Sequence, residues 1–171
     1  MLTAALATKL IRQILGDYNY WPESESDSPL KVVRSKTALD EKAILSRDAS
    51  MRRAAVQDSA PATAYKPPVR TVQVKTLDQV LKPLVRSTLA EIQAQAPAFE
   101  AGTGLDAMQK LIEKCEYFVQ LYSAFKQLAN PKISYVVDGN NTSSDPYTGF
   151  FISGESTDGE VVIAQTLLVQ T

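Results

Sequence analysis

The C-terminal stretch of the chain places the strongest constraint on the fold, because it holds two apolar runs on either side of a hairpin signal. The runs are residues 150–152 and 161–169, and Ser-Thr-Asp-Gly at 156–159 separates them. Asp-Gly favours a tight turn, since both residues tolerate a positive φ angle. The second run is rich in β-branched residues and has no internal Gly or Pro, which is typical of a central strand. The sequence therefore predicts a hairpin whose last strand fixes the position of Thr171.

Length and composition are typical of one globular domain, with 171 residues, 44% of them hydrophobic and 22% charged. No apolar run approaches the roughly 18 residues that a membrane span needs. Lys9 and Arg12 interrupt the apolar N-terminal stretch, which therefore predicts an amphipathic helix rather than a targeting peptide. The one cysteine, Cys115, allows no intrachain disulfide, and we expect a cytoplasmic protein because disulfides are rare in that compartment. From length and the apolar runs we expect a single domain over residues 1–171 that contacts no membrane.

The chain contains no histidine, which excludes Ser-His and Cys-His nucleophilic mechanisms and removes the usual zinc ligand. It also has no GxGxxG motif and no P-loop motif. We therefore expect a protein that is not an enzyme and has no cofactor or metal ion of its own. The alternative is a hydrolase that uses Glu155, Asp158 and Glu160, but acidic residues beside a hairpin turn commonly serve solubility.

The periodicity of apolar residues predicts helices grouped around a mainly antiparallel sheet, which is an α+β layered sandwich. Pro83 is expected to distort or end one helix, and the next helical stretch is expected to stop before Pro97. The strongest helical pattern has Asp106 as its expected N-cap. The predicted helices lie within 1–17 and at 77–84, 85–95 and 107–129, and the predicted strands lie at 30–34, 69–75, 133–137, 150–152 and 161–169.

Residues 35–68 give the weakest signal, and we expect them to form an irregular basic excursion. The first part of this stretch also fits a short helix with Thr37 as its N-cap. Residues 31–86 contain twelve basic and five acidic residues, whereas four basic and ten acidic residues follow. The arginines of the excursion lack the aromatic neighbours of a nucleic-acid site, so we expect a solvated basic loop without direct binding of nucleic acid. These arginines are Arg47, Arg52 and Arg53.

An acidic loop is expected at residues 23–29, Glu-Ser-Glu-Ser-Asp-Ser-Pro, since Ser, Asp and Pro favour a loop over a helix or a strand. The aromatic residues at 18, 20 and 21 are expected to anchor this loop on the core and to leave its acidic tip in water. Composition alone favours a solvated loop without a specific role.

Three stretches occur in a defined order along the chain. Ser-Glu-Ser-Asp-x-Pro at 24–29 follows the N-terminal helix, and a long helix ends at Asn130-Pro131 before a strand. Ile-x-Gly-Glu-x-x-x-Gly at 152–159 precedes a strand that stops at Thr171. Together they resemble the nuclease A inhibitor family, whose members block a nonspecific, magnesium-dependent DNA/RNA endonuclease. The match covers roughly residues 2–33 and 69–171, and it implies a three-layer α/β/α sandwich.

The resemblance further implies a monomeric inhibitor that plugs the active site of such a nuclease in a 1:1 complex. In the family, a glutamate of the acidic loop and the C-terminal threonine enter that site, and they correspond to Glu25 and Thr171. Thr171 is expected to approach the magnesium ion of the nuclease, because this hard cation accepts carboxylate and hydroxyl oxygens. The acidic side chains would replace phosphates in a basic groove. The implied partner-binding residues are Glu23, Ser24, Glu25, Ser26, Asp27, Gln170 and Thr171.

A second hypothesis keeps the fold but assigns it to a non-catalytic interaction module with a different protein partner. The basic excursion at 35–68 then belongs to the docking surface, and deletion of residues 46–67 is expected to abolish binding. Under the inhibitor hypothesis the same deletion is expected to be tolerated.

Overall fold

The computed structural model describes residues 1–57, 65–139 and 145–170. Within these residues the chain forms four helices and five strands. In chain order they are α1 (Ala4–Leu15), β1 (Lys31–Ser35), α2 (Glu41–Val56), β2 (Arg70–Lys75), α3 (Leu77–Glu100), α4 (Leu105–Lys126), β3 (Ala129–Asp138), β4 (Tyr147–Glu155) and β5 (Val161–Val169). Thr171 and residues 58–64 of the expected excursion lie outside the described residues.

The five strands form one antiparallel sheet in the order β1-β5-β4-β3-β2. β4 and β5 pair along their whole length, from Tyr147 opposite Val169 to Glu155 opposite Val161, which confirms the predicted hairpin. β5 lies between β1 and β4, so its apolar sequence reflects burial on both faces of the sheet. Gly159 has a φ of 80° in the connecting turn, a conformation that glycine adopts without strain.

Side chains alternate between two cores, because successive residues of a strand point to opposite faces of a sheet. Phe150 and Ile152 of β4 pack with residues of α1, α3 and α4 in the larger core. Phe151, which lies between them, packs with Ile44 of α2 and Ile163 of β5 on the other face. The protein is therefore a three-layer α/β/α sandwich, as predicted.

The part of the expected excursion that forms α2 is helical, so the prediction of an irregular segment at 35–68 is wrong there. Asp40, and not Thr37, is the N-cap of this helix. Its carboxylate accepts a hydrogen bond at 2.8 Å from the backbone N–H of Ala43, which satisfies one of the free donors at a helix start. The sequence therefore contains a suitable N-cap for this helix at Asp40, but the prediction named Thr37.

The buried face of α2 explains why periodicity missed this helix, because Asp48 and Arg52 on that face have fully buried side chains. A pattern of apolar residues does not reveal a helix whose central buried positions are charged. The expected solvated basic loop is therefore wrong for Arg52, although Arg53 is exposed. Among the described elements α2 alone covers its face of the sheet, so deletion of residues 46–67 would remove part of the fold and cannot separate the two functional hypotheses.

α3 runs unbroken through Pro83 and Pro97, so the expected interruption at the first proline and the stop before the second are wrong. A capping box fixes its start: Thr76 and Gln79 each accept, through a side-chain oxygen, a hydrogen bond from the backbone N–H of the other. Each proline removes one backbone donor, and packing of α3 along α4 compensates for the loss.

α4 starts directly after Gly104, which has a φ of 70°, so Asp106 lies inside the first turn and is not the expected N-cap. An apolar stripe on a helix usually packs in the core. On α4 Phe118 is inaccessible, but Ile112 and Val119 are 45% and 47% exposed. The remaining part of the stripe forms the outer surface of the α3–α4 hairpin.

Candidate partner-binding site

The acidic loop between α1 and β1 is anchored by Trp21, as the aromatic residues around it predict. The indole is 2% exposed, and its ring centre lies 5.5 Å from that of Phe118 and 4.4 Å from that of Phe150. Asn19 shapes the turn before it, since its side-chain oxygen accepts a hydrogen bond from the Trp21 N–H at 2.9 Å. The Asn19 N–H donates to the Asp27 carbonyl at 3.1 Å and closes the base of the loop. The acidic loop is therefore fixed at both ends on the core.

Hydrogen bonds join the acidic loop to the end of β5, and we call this set the loop latch. The Glu25 N–H donates to the Val169 carbonyl at 2.8 Å, and the Val169 N–H donates to Ser24 Oγ at 3.2 Å. The side-chain amide of Gln170 donates to the Glu23 carbonyl at 3.1 Å. The latch thus brings four of the predicted partner-binding residues together, although they lie at opposite ends of the chain.

Serine hydroxyls give the acidic loop its internal shape. Ser24 Oγ accepts a hydrogen bond from the Ser26 N–H at 3.2 Å, and Ser26 Oγ accepts one from the Ser28 N–H at 3.3 Å. Such local bonds favour turns over regular structure. The acidic residues alternate with these serines and are exposed to solvent. They are Glu23, Glu25 and Asp27.

Gln170 fixes the direction in which the chain leaves β5. Its backbone N–H donates to the Pro146 carbonyl at 2.9 Å, while its side chain belongs to the loop latch. Thr171 follows directly but lies outside the described residues, so its role at a partner's magnesium ion stays a prediction.

The carboxylates of the acidic loop raise the pKa of neighbouring tyrosines. Tyr18 donates a hydrogen bond to Asp27, and this bond, together with the negative charge, raises the pKa of Tyr18 above 10.0. Burial raises the pKa of Tyr135 to about 12, with a further contribution from the negative charge of Glu23. Both phenols are therefore neutral at physiological pH and add no charge to this surface.

An open groove of about 420 Å³ lies beside the acidic loop, between β5 and the C-terminal half of α2. Met51 and Ala54 of α2 form one wall, and Tyr147 and Leu167 lie on the sheet side. Lys31 is the one charged residue among the described residues that line it. Sequence reasoning missed the groove because it did not predict α2, and the spacing of Met51 and Ala54 was its one weak signal.

Arg52 lies in a buried ion network and not on a basic docking surface. Its guanidinium pairs with Asp48 at 2.8 Å and with Asp145 at 3.2 Å, and it donates to the Val136 carbonyl at 3.1 Å. Arg70 pairs with the same Asp48 carboxylate at 2.5 Å. Burial by itself lowers the pKa of Arg52, but the two carboxylates outweigh it and raise this pKa. We call Asp48, Arg52, Arg70 and Asp145 the buried ion network.

The three carboxylates considered for a hydrolase are each engaged with a neighbouring element. Asp158 accepts a hydrogen bond from the first backbone N–H of α1 at 3.0 Å, and Glu160 pairs with Arg34 of β1 at 2.6 Å. Glu155 accepts a hydrogen bond from the Asn130 side chain at 3.2 Å. Each of these three carboxylates therefore connects the region of the β4–β5 turn to a neighbouring part of the fold.

No described helix is long and apolar enough to cross a membrane. In the part of the chain that the structure describes, no three acidic or cysteine residues are grouped as metal ligands would be. No family model matches this chain, and no curated protein matches its sequence.

Proposed function

We propose that this protein inhibits a magnesium-dependent, nonspecific nuclease by plugging the nuclease active site. Glu25 and Thr171 enter that site, while Glu23 and Asp27 contact the basic groove around it. The observation that supports this proposal is the loop latch, because it joins the acidic loop to Val169 and Gln170, the two residues before Thr171. The resemblance to the nuclease A inhibitor family points to the same residues, and the single cysteine fits action in the cytoplasm.

Charge and pre-organisation make this surface suitable for such a plug. A groove that binds nucleic acid is basic, since it holds phosphates, and three exposed carboxylates complement it. Ordering a free loop on binding costs affinity. The loop latch and the Trp21 anchor hold the acidic loop before a partner arrives, so that this cost is reduced.

The direct test is titration of the protein into a magnesium-dependent, nonspecific nuclease from the same organism while DNA cleavage is followed. Inhibition should reach completion at one chain per nuclease. Deletion of Thr171 and the Glu25→Gln variant should each weaken inhibition at least about tenfold, as expected for central contacts. Glu41→Gln, which changes an exposed glutamate of α2, is the matched control and should inhibit like the wild type.

Two further measurements separate a plug from other routes to inhibition. Binding should be tighter with Mg²⁺ than with a chelator. The variant without Thr171 should lose this difference, because it lacks the threonine hydroxyl and its terminal carboxylate is one residue farther from the ion. Fluorescence anisotropy with labelled DNA alone should show no binding. Inhibition that follows DNA binding by the protein itself would contradict the proposal.

The loop latch can be tested without any change of charge. Ser24→Ala removes the acceptor of the hydrogen bonds from the Val169 and Ser26 N–H groups, whereas Ser28→Ala removes neither of them. We expect weaker inhibition for the first variant and unchanged inhibition for the second. Equal inhibition by both would show that the latch is not needed to present Glu25.

The second candidate function is a non-catalytic interaction module of the same fold with a different protein partner. The apolar groove beside the acidic loop favours it, because a plug based on charge does not require apolar walls. Met51→Glu places a charge in that groove. If this variant abolishes binding of the physiological partner while Glu25→Gln leaves it intact, the interaction module replaces the inhibitor.

A further inference from the structure

The α3–α4 hairpin exposes a row of large apolar side chains. Leu89 and Phe99 of α3 are 51% and 49% exposed, and Leu105, Ile112 and Val119 of α4 are 64%, 45% and 47% exposed. These five make up half of the exposed large hydrophobic residues in the described part of the chain. Single exposed apolar residues are ordinary, but a contiguous set indicates an interaction surface.

The spacing of these residues puts them on one side of the hairpin. Leu105, Ile112 and Val119 are seven residues apart, so they form a line along α4. Phe118 and Leu121, at other angles around the helix, are completely buried against the core. The row on α4 therefore faces away from the sheet, toward solvent.

α3 continues the same surface. Leu89, Ala96 and Phe99 follow the spacing of three, four or seven residues that aligns side chains on a helix. A groove of about 250 Å³ between the two helices begins near the start of α3, where Val85 and Val119 form its walls. We call the side chains on this outer side of the two helices the hairpin face.

Charges along the hairpin face are polarised from one end to the other. Lys82, Arg86 and Lys126 lie near the start of α3 and the end of α4, where Asp78 pairs with both lysines and leaves a net charge of +2. Glu100, Asp106 and Lys110 lie near the tip, where the two helices connect, and carry a net charge of −1. A surface that is basic at one end and acidic at the other complements a second copy of itself turned by 180°.

We propose that the hairpin face binds a second copy of this chain, with the two hairpins antiparallel in a four-helix bundle. The tip of each hairpin, where α3 and α4 connect, then lies against the start of α3 and the end of α4 of the other copy. The exposed apolar rows of the two copies pack against each other. This arrangement is isologous, because both copies use the same surface. The free protein is then a dimer at high concentration, in place of the monomer expected from the sequence.

The size of the hairpin face indicates a weak dimer. At 1.5 Å per residue the apolar row extends roughly 15 Å on α3 and roughly 21 Å on α4, and two helices side by side are about 20 Å wide. Such a face covers on the order of 400 Å² per copy, or about 800 Å² in total, which is below the area of a stable specific interface and typical of a weak one. We therefore expect a dissociation constant in the high micromolar range.

Analytical ultracentrifugation of the full chain, over concentrations from low to high micromolar, tests the proposal. The average mass should rise from one chain toward two. Leu89→Glu and Ile112→Glu should each remain monomeric, because dimerisation would bury an unpaired charge. Leu6→Glu, which changes an equally exposed leucine of α1, should dimerise like the wild type. Circular dichroism should confirm that all three variants are folded.

A charge exchange tests the antiparallel orientation at low salt. Arg86→Glu and Glu100→Lys should each weaken the dimer several-fold, since each unfavourable contact occurs twice in a dimer with twofold symmetry. The double variant should restore wild-type affinity. The dimer is refuted if the wild type stays monomeric at all concentrations, or if Leu89→Glu and Ile112→Glu still dimerise. The antiparallel orientation is refuted if the double variant does not recover wild-type affinity.

Discussion

The buried ion network provides the sharpest test of the fold, because the chain holds an exposed pair of the same geometry. Arg52 and Asp48 are four residues apart on α2, 2.8 Å from each other, and their side chains are fully buried. Lys82 and Asp78 are four residues apart on α3 and 2.6 Å from each other, but their side chains are 49% and 44% exposed. Comparison of Arg52→Met with Lys82→Met therefore isolates the effect of burial on an ion pair within one helix.

The expected magnitude follows from what each substitution leaves behind. Arg52→Met removes the ion pair of Asp145, whose carboxylate keeps its hydrogen bonds, and leaves Asp48 paired with Arg70 alone. Loss of one partner from a buried ion pair costs about 3–5 kcal/mol. In a domain of this size 1 kcal/mol corresponds to about 2–4 °C, so the melting temperature should fall by about 6–20 °C. Lys82→Met should change it little, because solvent screens an exposed pair.

Urea unfolding followed by circular dichroism is the suitable assay, since a loss of stability lowers the midpoint at a constant slope. Equal midpoints for the two variants would refute the reasoning, because burial would then add nothing to the pair. Combining Arg52→Met with Asp145→Asn also removes the carboxylate charge that faces the Arg52 guanidinium. The double variant should therefore lose less stability than the sum of the two single changes.

Three smaller predictions concern a strand, a helix start and a turn. Gly149→Ala should cost about 1–3 kcal/mol in the same assay, because its Cβ would overlap with a carboxylate of the buried ion network. Gly139→Ala, whose Cβ would make ordinary contacts, is the control. Thr76→Ala should cost about 0.5–2 kcal/mol through loss of the α3 cap, and an unchanged midpoint would contradict the capping box. The Ser156 hydroxyl, followed by the first N–H of α1, lowers the pKa of Asp158 below 3.8. A lowered pKa adds stability that is complete above the unfolded-state value and is lost as pH falls through the folded-state value. The advantage of the wild type over Asp158→Asn should therefore shrink below about pH 4, and an advantage that persists in stronger acid would contradict this.

The sheet could be predicted because its strands carry local signals. β5 is a long apolar run bounded by Asp-Gly, and its position inside the sheet explains why both of its faces are apolar. The helical layers were harder to predict. The buried face of α2 contains the charged residues Asp48 and Arg52, so it has no apolar periodicity. α3 continues through two prolines because packing on α4 offsets the lost backbone donors. In both cases tertiary contacts outweigh the local preference of the residues.

Some features of the candidate site could also be predicted from the sequence, and others could not. The acidic loop and its aromatic anchor follow from residue types, since Ser, Asp and Pro favour turns and Trp favours the core. Its attachment to β5 does not, because the loop latch joins Glu25 to Val169 through backbone groups that every residue carries. The resemblance to a known family implies that Glu25 and Thr171 act together, and the loop latch joins Glu25 to Val169, two residues before Thr171.

The charge distribution bears on whether an acidic surface can dock into a basic groove at all. Residues 31–86 carry a large excess of basic side chains, which in an open chain would reduce the negative potential of the acidic loop. In the folded protein Arg52 and Arg70 are held by Asp48 inside the molecule, and Arg34 is held by Glu160. Paired charges act as dipoles whose field falls off faster than that of a single charge. The basic side chains of these pairs therefore oppose the carboxylates of the acidic loop less than free charges would.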